Sequence, residues 1–194
     1  MPAFNQPSLE AQLIDIVSGC GRTMEALCAA RTLRLSSWCI GAGAIRNLVW
    51  DRLHGFGQAT APADVDLVFY DAADPGRSLE QSLHDELCTK MPDLNWEAVN
   101  QASVHRWFQA HYPHPFPPLR SLEEGVASWP EYATCVGVSL TDADALQIIA
   151  PHGLDDLFGM VMRWNPTRVP KSIYEARMAQ KRFPERWPKV KVLP

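Results

Sequence analysis

The stretch Pro62-Ala63-Asp64-Val65-Asp66-Leu67-Val68-Phe69-Tyr70-Asp71 constrains the chain more than any other part of the sequence. Val65, Leu67 and Phe69 alternate with Asp64, Asp66, Val68 and Tyr70, the period-two pattern of a half-buried strand. Residues i and i+2 of a strand point to the same side, so the carboxylates of Asp64 and Asp66 converge. Like charges that close repel unless water solvates them or a cation sits between them. Oxygen-only ligands of this kind suit Mg²⁺, which keeps several waters and takes one or two carboxylates plus substrate phosphates. An isolated Asp-x-Asp at a solvated strand end would look the same, so the neighbouring segments decide its meaning.

Two neighbours bear on it. Ser36 to Gly41 reads as a short buried strand running into the turn Gly41-Ala42-Gly43-Ala44, and Ile45, Leu48, Val49 and Leu53 then keep helical spacing until Gly55 and Gly57 end the run. Glycines between a strand and a helix let backbone N–H groups approach a phosphate at the positive helix end. Arg46 adds a guanidinium able to grip phosphate bidentately, beside Asn47. The turn lacks the third glycine of the dinucleotide fingerprint and the Gly-Lys-Ser/Thr ending of a P-loop. The second neighbour is Glu97, on a strand expected over Asn95 to Gln101. Beside the Asp64–Tyr70 strand it would complete a three-carboxylate site that can hold two metals, with Asp93 as the rival acid.

The remaining pattern mixes helices and short strands. Leu9, Leu13, Ile14 and Val17 follow Ser8, a plausible N-cap, and the helical period resumes at Met24, Leu27, Ala30 and Leu33 after Cys20-Gly21. Leu79, Leu83 and Leu87 predict another helix, and Val104 to Phe108 a short one. Four prolines between His111 and Pro118 exclude helix or central strand there. Ser121-Leu122-Glu123-Glu124 is a capping box. Thr134 to Leu140 and Ala145 to Ala150 read as strands. Leu154, Leu157, Phe158, Val161 and Met162 form one helix face, stopped by Asn165-Pro166. Short connections of this kind suit antiparallel or mixed pairing, and the fold class is α+β.

Composition sets outer bounds. With 194 residues, 46 % of them hydrophobic and 21 % charged, the chain can build a core. No apolar run spans a membrane and the start does not read as a signal peptide. The five scattered cysteines contain no Cys-x-x-Cys pair, which argues against a zinc ribbon or disulfide framework and for a reducing, cytoplasmic setting. The net charge is −4, yet from Arg163 onward nine Lys or Arg face only Glu175 and Glu185. Such a basic tail either meets a phosphate-rich substrate or lies as a helix and strap on the acidic body. We expect a domain over residues 1–166 and a basic C-terminal extension, 167–194, packed on it.

Other constellations fare worse. His111 and His114 sit in a proline loop and are better read as solvated than as zinc ligands. No Gly-x-Ser-x-Gly elbow supports a serine hydrolase. His105 reads equally as a substrate contact or a capping or core residue, and Asp155-Asp156 complement a helix dipole. Most of the seven tryptophans belong to the core, although a few could stack bases.

The order Ile40-Gly41-Ala42-Gly43-Ala44, a helix, Asp64-Val65-Asp66, then an acid on a later strand resembles the DNA polymerase beta-like nucleotidyltransferase superfamily. Within it, Gly43-Ala44-Ile45-Arg46-Asn47 with Trp50-Asp51, Asp64-Val65-Asp66, and Trp96-Glu97 with Asn100-Gln101 and His105 resemble a small bacterial nucleotidyltransferase-like family of unsettled substrate. So do Ala150-Pro151-His152-Gly153-Leu154-Asp155-Asp156 and Arg163-Trp164-Asn165-Pro166. The resemblance runs from about residue 38 into the tail. It implies a mixed, mostly antiparallel sheet flanked by helices, and transfer of a nucleoside monophosphate from a nucleoside triphosphate to an acceptor hydroxyl. Asp64, Asp66 and Glu97 would hold Mg²⁺ or Mn²⁺ and act in catalysis, and Gly41, Gly43, Arg46 and Asn47 would bind the nucleotide. The chain departs from the superfamily in carrying Gly-Ala where Gly-Ser or Gly-Gly is usual, and in a longer interval between Gly43 and Asp64. The acceptor, whether small molecule, protein or RNA, is not selected by any residue. A degenerate nucleotide-binding or protein-interaction module of the same fold is the competing expectation.

Overall fold

A computed structural model of the chain describes residues 7–74, 77–106 and 116–194. Two helices, α1 (Leu9–Ser18) and α2 (Gly21–Arg31), lead into strand β1 (Trp38–Gly41). The Ser8 hydroxyl accepts from the Ala11 N–H at 3.2 Å, satisfying one of the donors left open at the start of α1. Helix α3 (Ala42–His54) follows β1 directly and ends on Gly55, whose φ of +73° is the left-handed cap that glycine takes without strain. Strand β2 (Val65–Phe69), helix α4 (Ser78–Lys90) and strand β3 (Trp96–Asn100) come next. After them stand α5 (Leu122–Ala127), a 3₁₀ turn (Tyr132–Thr134), β4 (Gly137–Leu140) and β5 (Leu146–Ile149).

These strands form one five-stranded sheet in the order β3-β2-β1-β4-β5, antiparallel throughout except for the parallel β2–β3 pair. The α+β class and the mixed, mostly antiparallel sheet are therefore as expected. All four residues of β1 are buried, as its central place demands. Its close approach to β4 depends on Gly137, where a Cβ would stand 2.3 Å from the Cys39 Sγ. One face of the sheet packs on the main core, where Leu13, Leu27, Ile45, Trp50, Leu67, Leu87 and Trp96 are almost wholly buried. No helix among the described residues is long and apolar enough to cross a membrane.

Two local expectations change. The helix face read over Leu154 to Met162 splits into a short helix α6 (Asp155–Phe158) and a strand β6 (Val161–Met162). The turn between them places Met160 at φ +54°, and the Gly159 N–H donates to the Asp155 carbonyl at 2.7 Å. The reason lies far along the chain: β6 pairs in parallel with β7 (Lys191–Val192), and the spacing around Leu157 cannot reveal that partner. In the capping box, the Ser121 hydroxyl accepts from the Glu124 N–H at 3.1 Å. The Glu124 carboxylate, however, turns to the N–H and Nε of Arg120, both at 2.9 Å. Residues 104–106 are helical; the rest of the helix expected to Phe108, and the His111–Pro115 part of the proline segment, lie outside the described residues.

Residues after Pro166 form α7 (Lys171–Lys181), α8 (Phe183–Arg186) and β7. Phe183, Trp187 and Val190 enter the same hydrophobic core as α3. The Trp50 ring meets Phe183 and Trp187 edge-on, with centroids 5.8 and 5.4 Å apart. The buried Tyr174 hydroxyl lies 2.9 Å from the Met162 carbonyl oxygen and 2.6 Å from that of Leu193, locking α7 to the β6–β7 ribbon.

Candidate active site

Above the exit of β1 and the start of α3 opens a cleft of about 1490 Å³. Six of the seven residues singled out from the sequence line it: Gly43, Arg46, Asn47, Asp64, Asp66 and Glu97. Asp64 precedes β2, Asp66 lies within it, and in the parallel register Asp66 stands opposite Glu97 of β3. The entry to β2 is fixed on both sides. The Val65 N–H donates to the Asn95 carbonyl at 2.8 Å, and the Asn95 amide donates to the Ala63 carbonyl at 3.0 Å. Farther back, the buried Asp51 accepts from the Thr60 N–H at 2.5 Å and from its hydroxyl at 2.9 Å, tying down the loop that leads to Asp64.

Gly41 stands apart from the other six and does not line the cleft. A Cβ there would meet the Trp129 Cη2 at 2.5 Å and the Val136 carbonyl oxygen at 2.9 Å, so its small size serves packing beneath Trp129. Gly43 is the glycine at the site. A Cβ on it would stand 3.7 Å from the Arg46 Nη2 and 4.0 Å from the Asp64 Oδ1, which places cation and carboxylate on either side of the helix start.

The Arg46 guanidinium is 8 % exposed and lies over the rings of Phe183 (4.5 Å) and Trp50 (5.3 Å). Its Nη2 donates to the Asn47 Oδ1 at 2.9 Å, while the buried Nε has no partner among the described residues. Burial pulls its pKa down to about 10. It thus lines the cleft from an aromatic seat shared by α3 and the C-terminal segment.

Asp66 is perturbed in the opposite sense. Burial first, and then the charges of Asp64 and Glu97, push its pKa up to about 7, while Arg177 and Arg46 act against the rise. Among the described residues, none hydrogen-bonds to the carboxylates of Asp64, Asp66 or Glu97. No three His, Cys, Asp or Glu side chains among them form a ready-made group for a metal ion. The arrangement is a pair of aspartates, one at the entry to β2 and one near its start, with an exposed glutamate on the neighbouring strand. That donor set fits a cation that draws its remaining ligands from water and substrate phosphate.

A basic wall of the same cleft, with Glu131 and Glu185 also in its lining, comes from the C-terminal segment and was not singled out residue by residue from the sequence: Arg177 and Lys181 of α7, Arg182, and Arg186 of α8. Arg177 and Lys181 are one helical turn apart, so they share a face. The count of basic residues after Arg163 carried this signal, but the tail could not be placed on the cleft without its tertiary partners. Arg182 also pairs with Glu185 at 3.6 Å. Glu131, fully buried, accepts from the Arg177 Nε at 2.7 Å and from the Thr134 hydroxyl at 3.0 Å. The Arg163-Trp164-Asn165 segment holds this region in place. Asn165 donates to the Ala127 and Trp129 carbonyls at 2.7 and 2.8 Å, and Trp164 bridges to Glu131. His152 reaches the same Ala127 carbonyl at 2.9 Å. His105 does not line the cleft, and its Nδ1 is buried without a partner among the described residues. His111 and His114 lie outside those residues.

A family profile described as nucleotidyltransferase matches residues 28–192. The chain belongs to this nucleotidyltransferase family. The match takes in both walls of the cleft, from β1 to β7. No curated protein matches the chain. One solved structure, described as an NMR structure revealing a CCA-adding enzyme head domain, has a TM-score of 0.80 at 24 % identity. It covers 94 % of this nucleotidyltransferase and 95 % of its own chain. A tRNA-processing enzyme complex matches at TM-score 0.52 and 20 % identity, over 87 % of this chain and 43 % of its own. An apo form of a tRNA-processing enzyme matches at 0.51 and 19 %, over 97 % and 45 %. The nucleotidyltransferase thus spans less than half the length of these two, and the three likenesses establish its fold.

Proposed function

We propose that the protein transfers a nucleoside monophosphate from a nucleoside triphosphate to an acceptor hydroxyl, with Mg²⁺ or Mn²⁺ seated on Asp64 and Asp66. The observation that carries this reading is that one cleft brings the acids of β2 and β3 together with basic residues from distant parts of the chain: Asp64, Asp66 and Glu97 line it with Arg46, Arg177, Lys181 and Arg186. A neutral or singly charged substrate has no use for both sets of groups, whereas a triphosphate chelating a cation matches them. When bound, the divalent cation would neutralise the phosphates and lower the pKa of a coordinated hydroxyl.

The chain's own residues do the rest. Asp64, just before β2, and Asp66 within it hold the seat. Glu97, more exposed and one strand over, takes the acceptor side, where it orients the attacking hydroxyl and receives its proton. The attack forms the new P–O bond at the α-phosphorus as the bond to pyrophosphate breaks. Arg46, with Asn47 fixing its plane, and the N–H groups at the start of α3 by Gly43 stabilise the charge on the departing phosphates. Gly41 is assigned no contact with nucleotide. Among small-molecule, protein and RNA acceptors, RNA draws support from the basic helices and from the tRNA-processing fold neighbours.

The test compares wild type with Asp64→Asn and Asp66→Asn on labelled triphosphates with Mg²⁺ or Mn²⁺, in the presence of short RNA. We expect metal-dependent transfer that each variant lowers by at least about a hundredfold. Nucleotide binding without turnover or metal dependence, equal in all three proteins, would replace this reading with a binding module of the same fold.

A further inference from the structure

The geometry points to Arg177 as a phosphate-binding residue of the cleft, held in position by the buried carboxylate of Glu131. This rests on the nucleotidyl-transfer reading and names, within it, a polyphosphate contact supplied by the C-terminal helices.

Glu131 is wholly buried, in a bridge to Trp164 just before the 3₁₀ turn. A carboxylate there must be compensated, and it is: one oxygen accepts from the Thr134 hydroxyl, the other from the Arg177 Nε. That second bond uses only the inner donor of the guanidinium. The four N–H donors on Nη1 and Nη2 carry no other partner among the described residues. The Arg177 side chain is 37 % exposed, and the residue lines the cleft. A cleft-lining guanidinium anchored through Nε, with its terminal donors unengaged, is pre-oriented to grip two oxygens of one phosphate or of neighbouring phosphates. Its charge also acts on both Asp66 and Arg46, so it lies near the carboxylates as well as the buried arginine. Lysine could replace the charge but not both contacts at once.

Glu131 has a second consequence. It joins Arg177 on α7 to the segment between α5 and β4, so the cationic wall is registered against the sheet through a bond rather than by packing alone. Glu131 is a positioning residue and touches no substrate.

Binding of inorganic tripolyphosphate tests this without needing a nucleobase, an acceptor or turnover. Titration calorimetry on the full chain compares wild type, Arg177→Ala, Arg177→Lys and Glu131→Gln, with melting curves recorded alongside. We expect Arg177→Ala to weaken tripolyphosphate binding by about tenfold or more and Arg177→Lys to recover only part of it. Glu131→Gln should weaken it while the protein stays folded at the assay temperature, and should raise KM for the triphosphate more than it lowers kcat. Wild-type affinity in a folded Arg177→Ala protein overturns the assignment of Arg177. A Glu131→Gln protein that melts earlier but binds tripolyphosphate as tightly as wild type overturns the positioning role. Failure of the wild-type chain itself to bind tripolyphosphate would bring down the nucleotide reading of the cleft as well.

Discussion

At the residue scale the two glycines of the β1–α3 turn separate cleanly. Gly41 has the Trp129 ring and the Val136 carbonyl where a Cβ would go. Gly41→Ala should therefore lower stability by about 1–3 kcal/mol in a urea titration, since one of the obstructing atoms is backbone and cannot turn aside. Gly43→Ala meets nothing closer than 3.7 Å and should fold with near wild-type stability. Asp66 offers a pH test. With its folded pKa raised from 3.8 to about 7, its contribution is fully favourable below the unfolded value and is lost as pH rises through 7. In the metal-free protein, Asp66→Asn should therefore melt above wild type at pH 8, with the gap closing towards pH 5. A gap that widens on acidification would show the opposite shift.

At the scale of elements, strands were legible and their partners less so. Alternation around Asp66 and the apolar run at Cys39 and Ile40 located β2 and β1 because each strand's burial is written in its own residues. Strands β2 and β3 are one residue shorter at each end than the pattern predicts, and their parallel register sets Asp66 opposite Glu97. The β6 strand was hidden: Leu157 and Met162 are buried whether that segment is one helix or a helix and a strand, and only β7 decides between them. Asp51 shows the same limit. The family resemblance includes it without saying what it does, and its carboxylate accepts from Thr60 and from the Trp187 indole N–H at 2.7 Å, joining α3, the loop before β2 and the end of α8. Asp51→Ala should cost about 2–4 kcal/mol in chemical denaturation, by leaving the indole and the Thr60 donors unpaired. A loss below about 0.5 kcal/mol would mean that water replaces all three bonds.

Across the whole molecule, charge is more informative by position than by sum. A chain of net charge −4 brings Arg177, Lys181 and Arg186 to one cleft. Polyanion binding should therefore weaken steeply with salt. Lys181→Glu with Arg186→Glu should flatten that dependence without lowering the melting temperature by more than a few degrees, because both side chains are exposed. Removal of the residues after Pro166 would be the wrong test of the same idea. Phe183 and Trp187 are core residues, and Trp187→Ala alone should cost about 3–5 kcal/mol. That Asp64 and Asp66 come to one cleft was legible because strand period fixes their side, and the basic residues that join them there were not, because these are over a hundred positions away in sequence.

That separation orders events in time during synthesis. The carboxylates of β2 and β3 leave the ribosome long before α7 and α8, where Phe183 completes the ring seat under Arg46 and Trp187, just beyond α8, packs on Trp50. A nascent chain halted near Pro166 would carry the acidic strands without their cationic counterpart. Nucleotide binding should thus appear late and abruptly in a series of stalled chains, after residue 190 has cleared the exit tunnel.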